Sequence, residues 1–281
     1  MARIIVITSG KGGVGKTTTT SNIGMSLARL EQKTLLIDAD VGLRNLDLLL
    51  GLENRIIYTG TDVLDGSCKL EQAIIQDKRE SKLSFLPLCS NQAKTPLTKE
   101  KMQQLINTLE NKYDFILIDC PAGIDVGFQN AIETVHEALL IVTPEVTSIR
   151  DADKVVGILE ARNMDEIKLI INRVKPKMIK SETMMSIDDV QGILGVPVIG
   201  IVPDSEQVII ASNRGEPLVL DKGDSLPKQA FEDIARRLIG EEVEFIDFEA
   251  AKNPVKRLFK NIVRSKTTKP KAKIRKREAL D

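Results

Sequence analysis

The stretch Ile4-Ile5-Val6-Ile7-Thr8-Ser9-Gly10-Lys11-Gly12-Gly13-Val14-Gly15-Lys16-Thr17-Thr18 decides the fold. A β-branched apolar run enters a glycine-rich turn, and the turn leads into a helix-compatible segment. Gly10 to Thr17 fits the phosphate-loop pattern G-x-x-x-x-G-K-[ST] without a gap. Gly10, Gly12, Gly13 and Gly15, with Val14 among them, let the backbone curl so that its N–H groups point inward at phosphate oxygens. A helix beginning near Lys16 and running through Thr18 adds the positive end of its dipole to the same site. Lys16 places a point charge on the β- and γ-phosphates, and the Thr17 hydroxyl can ligand Mg²⁺. A glycine-rich turn by itself need hold no ligand. Strand before and helix after make this one a nucleotide site.

Outward from the loop, Thr18 to Leu30 reads as an amphipathic helix, and Thr34 to Ile37 as a buried strand ending at Asp38-Ala39-Asp40. Carboxylates at the carboxyl end of a strand beside a phosphate loop lie where α/β sheets bind ligands. The segment from Val41 to Asp47 is polar and fits either a switch or a plain loop. Asp62–Asp65 and Leu70–Ile75 read as short helices, Leu83–Leu88 as a strand, and Thr98–Leu109 as a helix capped by Thr98. Tyr113 to Asp119 is an apolar strand ending in an aspartate, the pattern of an acid that holds Mg²⁺ through water. Pro121-Ala122-Gly123 follows it.

Ala138–Val142 is a further strand, leading through Thr143-Pro144-Glu145 to a helix over Ser148–Glu160 with Arg150, Asp151 and Asp153. Ile167–Ile171 ends in Asn172-Arg173, and Val198–Val202 ends in Pro203-Asp204. Helices over Asp204–Asn213 and Ser225–Leu238 complete the cover. His136 is expected in a helical stretch before a strand, in a structural role. The alternation predicts an α/β fold with a mostly parallel twisted sheet and helices on both faces, and the phosphate loop makes it a P-loop NTPase.

Of 281 residues 42% are hydrophobic, enough for one sizeable core, and no run reaches the length of a membrane span. The first strand begins so early that no signal or transit peptide is expected. Cys68, Cys89 and Cys120 are too widely spaced for a disulfide framework or a zinc site, which fits a reducing compartment. The zero net charge hides a division: residues 251–281 hold twelve Lys or Arg against two acids, and the rest holds 28 against 38. Such a tail points to an acidic partner, membrane or nucleic acid.

Three parts are expected: a P-loop nucleotide-binding domain over 1–250, an amphipathic helix over 251–264 and a disordered basic tail over 265–281. Asn253-Pro254 reads as an N-cap and a first-turn proline. Val255, Leu258, Phe259, Ile262 and Val263 then form one apolar stripe, with Lys256, Arg257, Lys260 and Arg264 on the other side. That composition lies in an anionic membrane interface, although a terminal helix packed on the body would show the same stripe. Five partly buried apolar side chains are worth roughly 5 kcal/mol and each nearby cation about 1 kcal/mol. Ordering the helix offsets much of this, so one copy binds weakly and two linked copies bind well.

Lys11 is a second lysine inside the loop, where most phosphate loops accept any residue, and by itself it could be a solvated surface charge. The run Lys11-Gly12-Gly13-Val14-Gly15-Lys16-Thr17-Thr18 resembles the deviant Walker A motif of the MinD/ParA-type ATPases. The likeness covers nearly the whole chain and is greatest to the MinD branch, through the runs from Asp38, Asp119, Pro144, Ala211 and Lys256. It implies ATP and Mg²⁺ as cofactors and an ATP-dependent homodimer in which Lys11 reaches the partner's nucleotide. Asp40 would orient the attacking water, Asp38 and Asp119 would support Mg²⁺ with Thr17, and Gly123 would sense the γ-phosphate. Asn172 would read the adenine edge, with Pro203 packed on its face and Asp204 beside it. The implied partners are MinE, MinC-like division proteins and an anionic membrane.

The function expected is an ATP-hydrolysing, membrane-associated switch that positions a division site. A ParA-like partitioning ATPase binding nucleic acid through the basic tail is the alternative. An iron–sulfur carrier needs cluster cysteines, and only Cys120 lies near the switch. The extension past Arg264 departs from the branch and leaves lipid, nucleic acid or neither as its target. Bacterial cytoplasm or plastid stroma is expected, at the inner face of a membrane, and richness in Ile and Lys favours the plastid.

Overall fold

The phosphate-loop strand sits inside the sheet. In the computed structural model, which describes residues 1–40, 44–89, 98–164 and 166–246, eight strands form one sheet. They are β1 (Arg3–Thr8), β2 (Thr34–Asp38), β3 (Ile75–Gln76), β4 (Leu83–Pro87), β5 (Phe115–Asp119), β6 (Glu137–Val142), β7 (Glu166–Val174) and β8 (Val198–Pro203). Their order is β3-β4-β2-β5-β1-β6-β7-β8. All neighbours pair parallel except β3, a two-residue antiparallel edge on β4. The predicted parallel α/β architecture is therefore observed.

Helices cover both faces: α1 (Lys16–Arg29), α2 (Leu46–Leu50), α3 (Gly60–Leu64), α4 (Leu70–Ala73), α5 (Lys99–Leu109), α6 (Val126–Ile132), α7 (Val146–Ala161), α8 (Pro176–Lys180), α9 (Ile187–Leu194), α10 (Glu206–Asn213) and α11 (Leu226–Leu238). Alternate strand residues serve opposite faces, as a period of two requires. Val6, Leu35, Ile37, Ile116, Ile118 and Leu140 join the core under α5, α6, α7 and α9. On the other face Leu36 touches α1 so closely that a Cβ on Gly24 would lie 2.4 Å from its methyl. Gly200 likewise admits Ile234 of α11. Burial on both faces explains why these strands are unbroken Ile, Leu and Val runs.

Three local expectations change. The helix predicted over Leu70–Ile75 stops at Ala73, because Ile74 turns extended and Ile75 pairs with Phe85 as an edge strand. β-branched residues lose side-chain freedom in a helix and gain a partner on the sheet. His136 is not helical: α6 ends at Ile132, and the exposed His136 lies in the link to β6, where its carbonyl accepts from Glu166 N at 3.2 Å. β7 runs past Ile171 to Val174, with register shifts and a left-handed Arg173 at φ 55°.

Met1–Glu244 form one compact unit. The stripe Val255–Val263, the tail 265–281 and the switch residues 41–43 lie outside the described residues. Among the described residues no helix is long and apolar enough to cross a membrane.

Candidate active site

Between β1 and α1 the loop makes the predicted turn. Gly15 precedes Lys16 with φ 98°, a left-handed geometry that L side chains avoid. A Cβ there would also meet the Asn172 amide nitrogen at 2.4 Å. Gly10 has a different reason to be glycine: its Cβ would lie 2.2–2.6 Å from backbone atoms of Asp151 and Ala152 on α7. Ser9 Oγ donates to Lys11 O at 2.8 Å, and Thr19 N donates to Gly15 O at 2.9 Å as α1 begins.

The two loop lysines part company. Lys16 is 9% exposed, and burial lowers its ammonium from the ordinary value while Asp119, Cys120 and Asp40 oppose that shift. Lys11 stays on the surface, with its Nζ 3.1 Å from Thr147 Oγ1 and 3.5 Å from Glu145 Oε2 at the start of α7. It is therefore held in its own chain, away from the nest that Lys16 serves.

Opposite the nest, parallel pairing of β2 and β5 puts Asp38 and Asp119 in direct register at the carboxyl edge. Both are 2% exposed. Burial pushes Asp119 up to about 7, helped by the charge of Asp38 and opposed by hydrogen bonds from Thr17 and Thr20 and the charge of Lys16. Thr20 Oγ1 lies 3.2 Å from Asp119 Oδ1. Burial likewise raises Asp38 to about 6, opposed by backbone hydrogen bonds. Two adjacent carboxylates that burial drives toward neutrality, beside the Thr17 hydroxyl, form a hard oxygen-donor set suited to Mg²⁺. Among the described residues no group of three His, Cys, Asp or Glu is placed to hold a metal ion, so phosphate oxygens and water would complete such a shell.

Other predicted residues have contacts that the sequence did not foretell. Asp38 accepts two backbone hydrogen bonds, from Asp40 N at 3.0 Å and from Leu46 N, the first residue of α2, at 3.1 Å. Gly123 N donates to Ser9 O at 3.0 Å, tying the segment after β5 to the loop. Asn172 Nδ2 donates to Val14 O at 2.7 Å while Oδ1 accepts from Arg173 N, so this amide supports the phosphate loop. Asp204 follows Pro203 at the end of β8, donates its N–H to Val174 O at 2.9 Å and pairs with Lys175 at 3.5 Å. The site thus draws on β1, β2, β5, β7 and β8, all at their carboxyl ends.

Residues 5–218 match the CobQ/CobB/MinD/ParA nucleotide binding domain. The chain belongs to this family. A relative from Emiliania huxleyi, named provisionally as a septum site-determining protein MinD, is 67% identical over 266 residues, or 94% of this chain and 98% of its own. The fold is similar to MinD in a MinC:MinD cell division protein complex from Aquifex aeolicus, at 48% identity and TM-score 0.82, covering 88% of this chain and 99% of that one. It is also similar to the Pyrococcus horikoshii MinD complexed with Mg-ADP, at 34% identity and TM-score 0.76, covering 85% and 97%. Like the other MinD/ParA ATPases, this chain uses ATP and Mg²⁺.

Proposed function

We propose that this chain is an ATP-driven dimerisation switch that positions a division site from a membrane surface. One observation carries the reading: of two lysines in one loop, Lys16 is buried at the nest and Lys11 is turned outward onto Glu145 and Thr147. A cation directed away from its own site is suited to complete a second copy's site, as an arginine finger does.

Lys16 and the backbone N–H groups of residues 10–18 hold the phosphates. Thr17, Asp38 and Asp119 hold Mg²⁺, which would neutralise the developing phosphate charge. Asp40, beside Asp38 on the switch, orients the attacking water. Asn172, Pro203 and Asp204 lie at the base side, and Lys11 of each copy serves the other's nucleotide. Dimerisation then brings two copies of the stripe Val255, Leu258, Phe259, Ile262 and Val263 to an anionic membrane, and hydrolysis releases them. A MinC-like inhibitor fits as a partner, because the related Aquifex aeolicus protein forms a complex with MinC. MinE is the expected activator of hydrolysis. Relatives from algae and a cyanobacterium fit a plastid or a bacterial setting, and the richness in Ile and Lys leans to the plastid.

Sedimentation with anionic phospholipid vesicles tests this. The full chain should pellet with Mg-ATP and stay in solution with Mg-ADP, and removal of residues 253–264 should abolish pelleting. ATP-dependent lipid binding that survives the deletion refutes the membrane helix. Binding to duplex DNA in place of vesicles would favour partitioning.

A further inference from the structure

Arg79 and Asp77 lie in the turn between β3 and β4, away from the nucleotide site. Asp77 is 3% exposed, and an acid so buried requires a partner. Arg79 provides it as a fork, Nε to Oδ1 at 3.0 Å and Nη2 to Oδ2 at 2.5 Å. The fork leaves the guanidinium edge aimed at two backbone carbonyls. Nη2 donates to Leu50 O at 2.7 Å, and Nη1 reaches Gly215 O at 3.4 Å.

Those carbonyls belong to the C-terminal ends of two helices. Leu50 is the last residue of α2, whose final carbonyls lack helical partners. Gly215 closes α10, donating to Ser212 O at 3.0 Å. The two ends touch at glycines: a Cβ on Gly51 would lie 2.9 Å from Gly215 O, and one on Gly215 would lie 2.9 Å from Leu48 O. Arg79, Gly51 and Gly215 therefore fasten α2 to α10.

The opposite end of each helix is in the site. Leu46 N at the start of α2 is held by Asp38, which also holds Asp40 N. α10 starts at its cap Ser205, next to Asp204. α2 has five residues, about 7.5 Å of helix, so movement at its far end reaches Asp38 with little damping.

We infer that Arg79, held by Asp77, is a positioning residue for ATP hydrolysis: by fixing α2 to α10 it sets the placement of the Asp38–Asp40 switch relative to the base-side loop. The inference rests on the water-orienting role proposed for Asp40. The phosphate nest is built by β1 and α1, away from the joint, so nucleotide affinity should fall far less than the alignment of the reacting water.

The test is steady-state ATP turnover with Mg²⁺, ADP affinity and thermal midpoint for the full chain, Arg79→Gln and Gly215→Ala, the second spreading the joint with Arg79 intact. Both variants should lose about tenfold in kcat, with KM for ATP and ADP affinity within about twofold of wild type. Turnover by the wild type tests the ATPase assignment separately. Variants that keep the wild-type kcat overturn the positioning role. A fall in ADP affinity in step with kcat, at a lowered midpoint, also overturns it, because the pair would then be a general brace. If Arg79→Gln does not fold, Arg79→Lys and Gly215→Ala carry the same comparison.

Discussion

Two glycines of the same loop should respond very unequally to one added methyl. At Gly10 a Cβ would lie 2.2 Å from Asp151 C, 2.3 Å from Asp151 O and 2.6 Å from Ala152 N. All three are backbone atoms inside α7, so no side-chain rotation can relieve the overlap, and either the loop or a 16-residue helix must shift. Forcing an extra carbon into such packing costs about 1–3 kcal/mol. At Gly12 the nearest atom to a new Cβ is Ala122 Cβ at 4.0 Å, an ordinary contact. Alanine there should change stability by no more than about 0.5 kcal/mol, helped by a less flexible unfolded chain. With about 2–4 °C per kcal/mol for a domain of this size, Gly10→Ala should melt about 4–8 °C below wild type at a cost of 2 kcal/mol. Gly12→Ala should melt within about 2 °C of it. The assay is calorimetry or circular dichroism without nucleotide, so that lost phosphate contacts cannot contribute. A Gly10→Ala midpoint equal to that of Gly12→Ala would show that the approach to α7 is not what restricts position 10.

Further outcomes follow from the site. Without nucleotide or metal, Asp38 and Asp119 bind protons more tightly folded than unfolded, so stability should fall as pH rises from about 4 to about 7. Asp119→Asn should flatten that profile in urea titrations, and a slope that persists unchanged would count against the two acids as its source. Mg-ADP should offset the loss above pH 7, because a bound cation favours both carboxylates charged. Lys11→Ala removes only exposed contacts, so its midpoint should shift by the equivalent of less than about 1 kcal/mol. It should still bind ATP, and normal ATP-dependent dimers of this variant on a sizing column would sink the trans role. Asp40→Ala should form dimers that hydrolyse slowly, and unaltered turnover would remove its water-orienting role. Lys16→Ala should lose nucleotide binding in a fluorescence titration, since no other buried cation faces the nest among the described residues.

The parts of this molecule legible in its sequence are those written in short range. Ile4–Ile7, Leu35–Ile37 and Ile116–Ile118 are apolar without interruption, which only a strand covered on both faces tolerates, and Asp38 and Asp119 mark their carboxyl ends. α2 was not legible because five residues cannot show a helical period, and the Asp38 carboxylate that accepts from its first N–H lies eight residues earlier. The Asn172 contact to Val14 and the Gly10 approach to Asp151 join positions far apart in the chain, and no spacing rule reports them. His136 and Ile75 depart from the helical expectation because local propensity gives way to strand pairing beside them. Gly10 is the instructive case. The phosphate-loop pattern explains it as part of an anion nest, and the packing explains it as the point where α7 meets the loop. Gly10 lacks the positive φ that Gly13 and Gly15 adopt, so the approach to α7 is what excludes a Cβ there, and the motif is silent about α7. A binding partner that displaced α7 would therefore press directly on the phosphate loop, through a contact that the motif conceals.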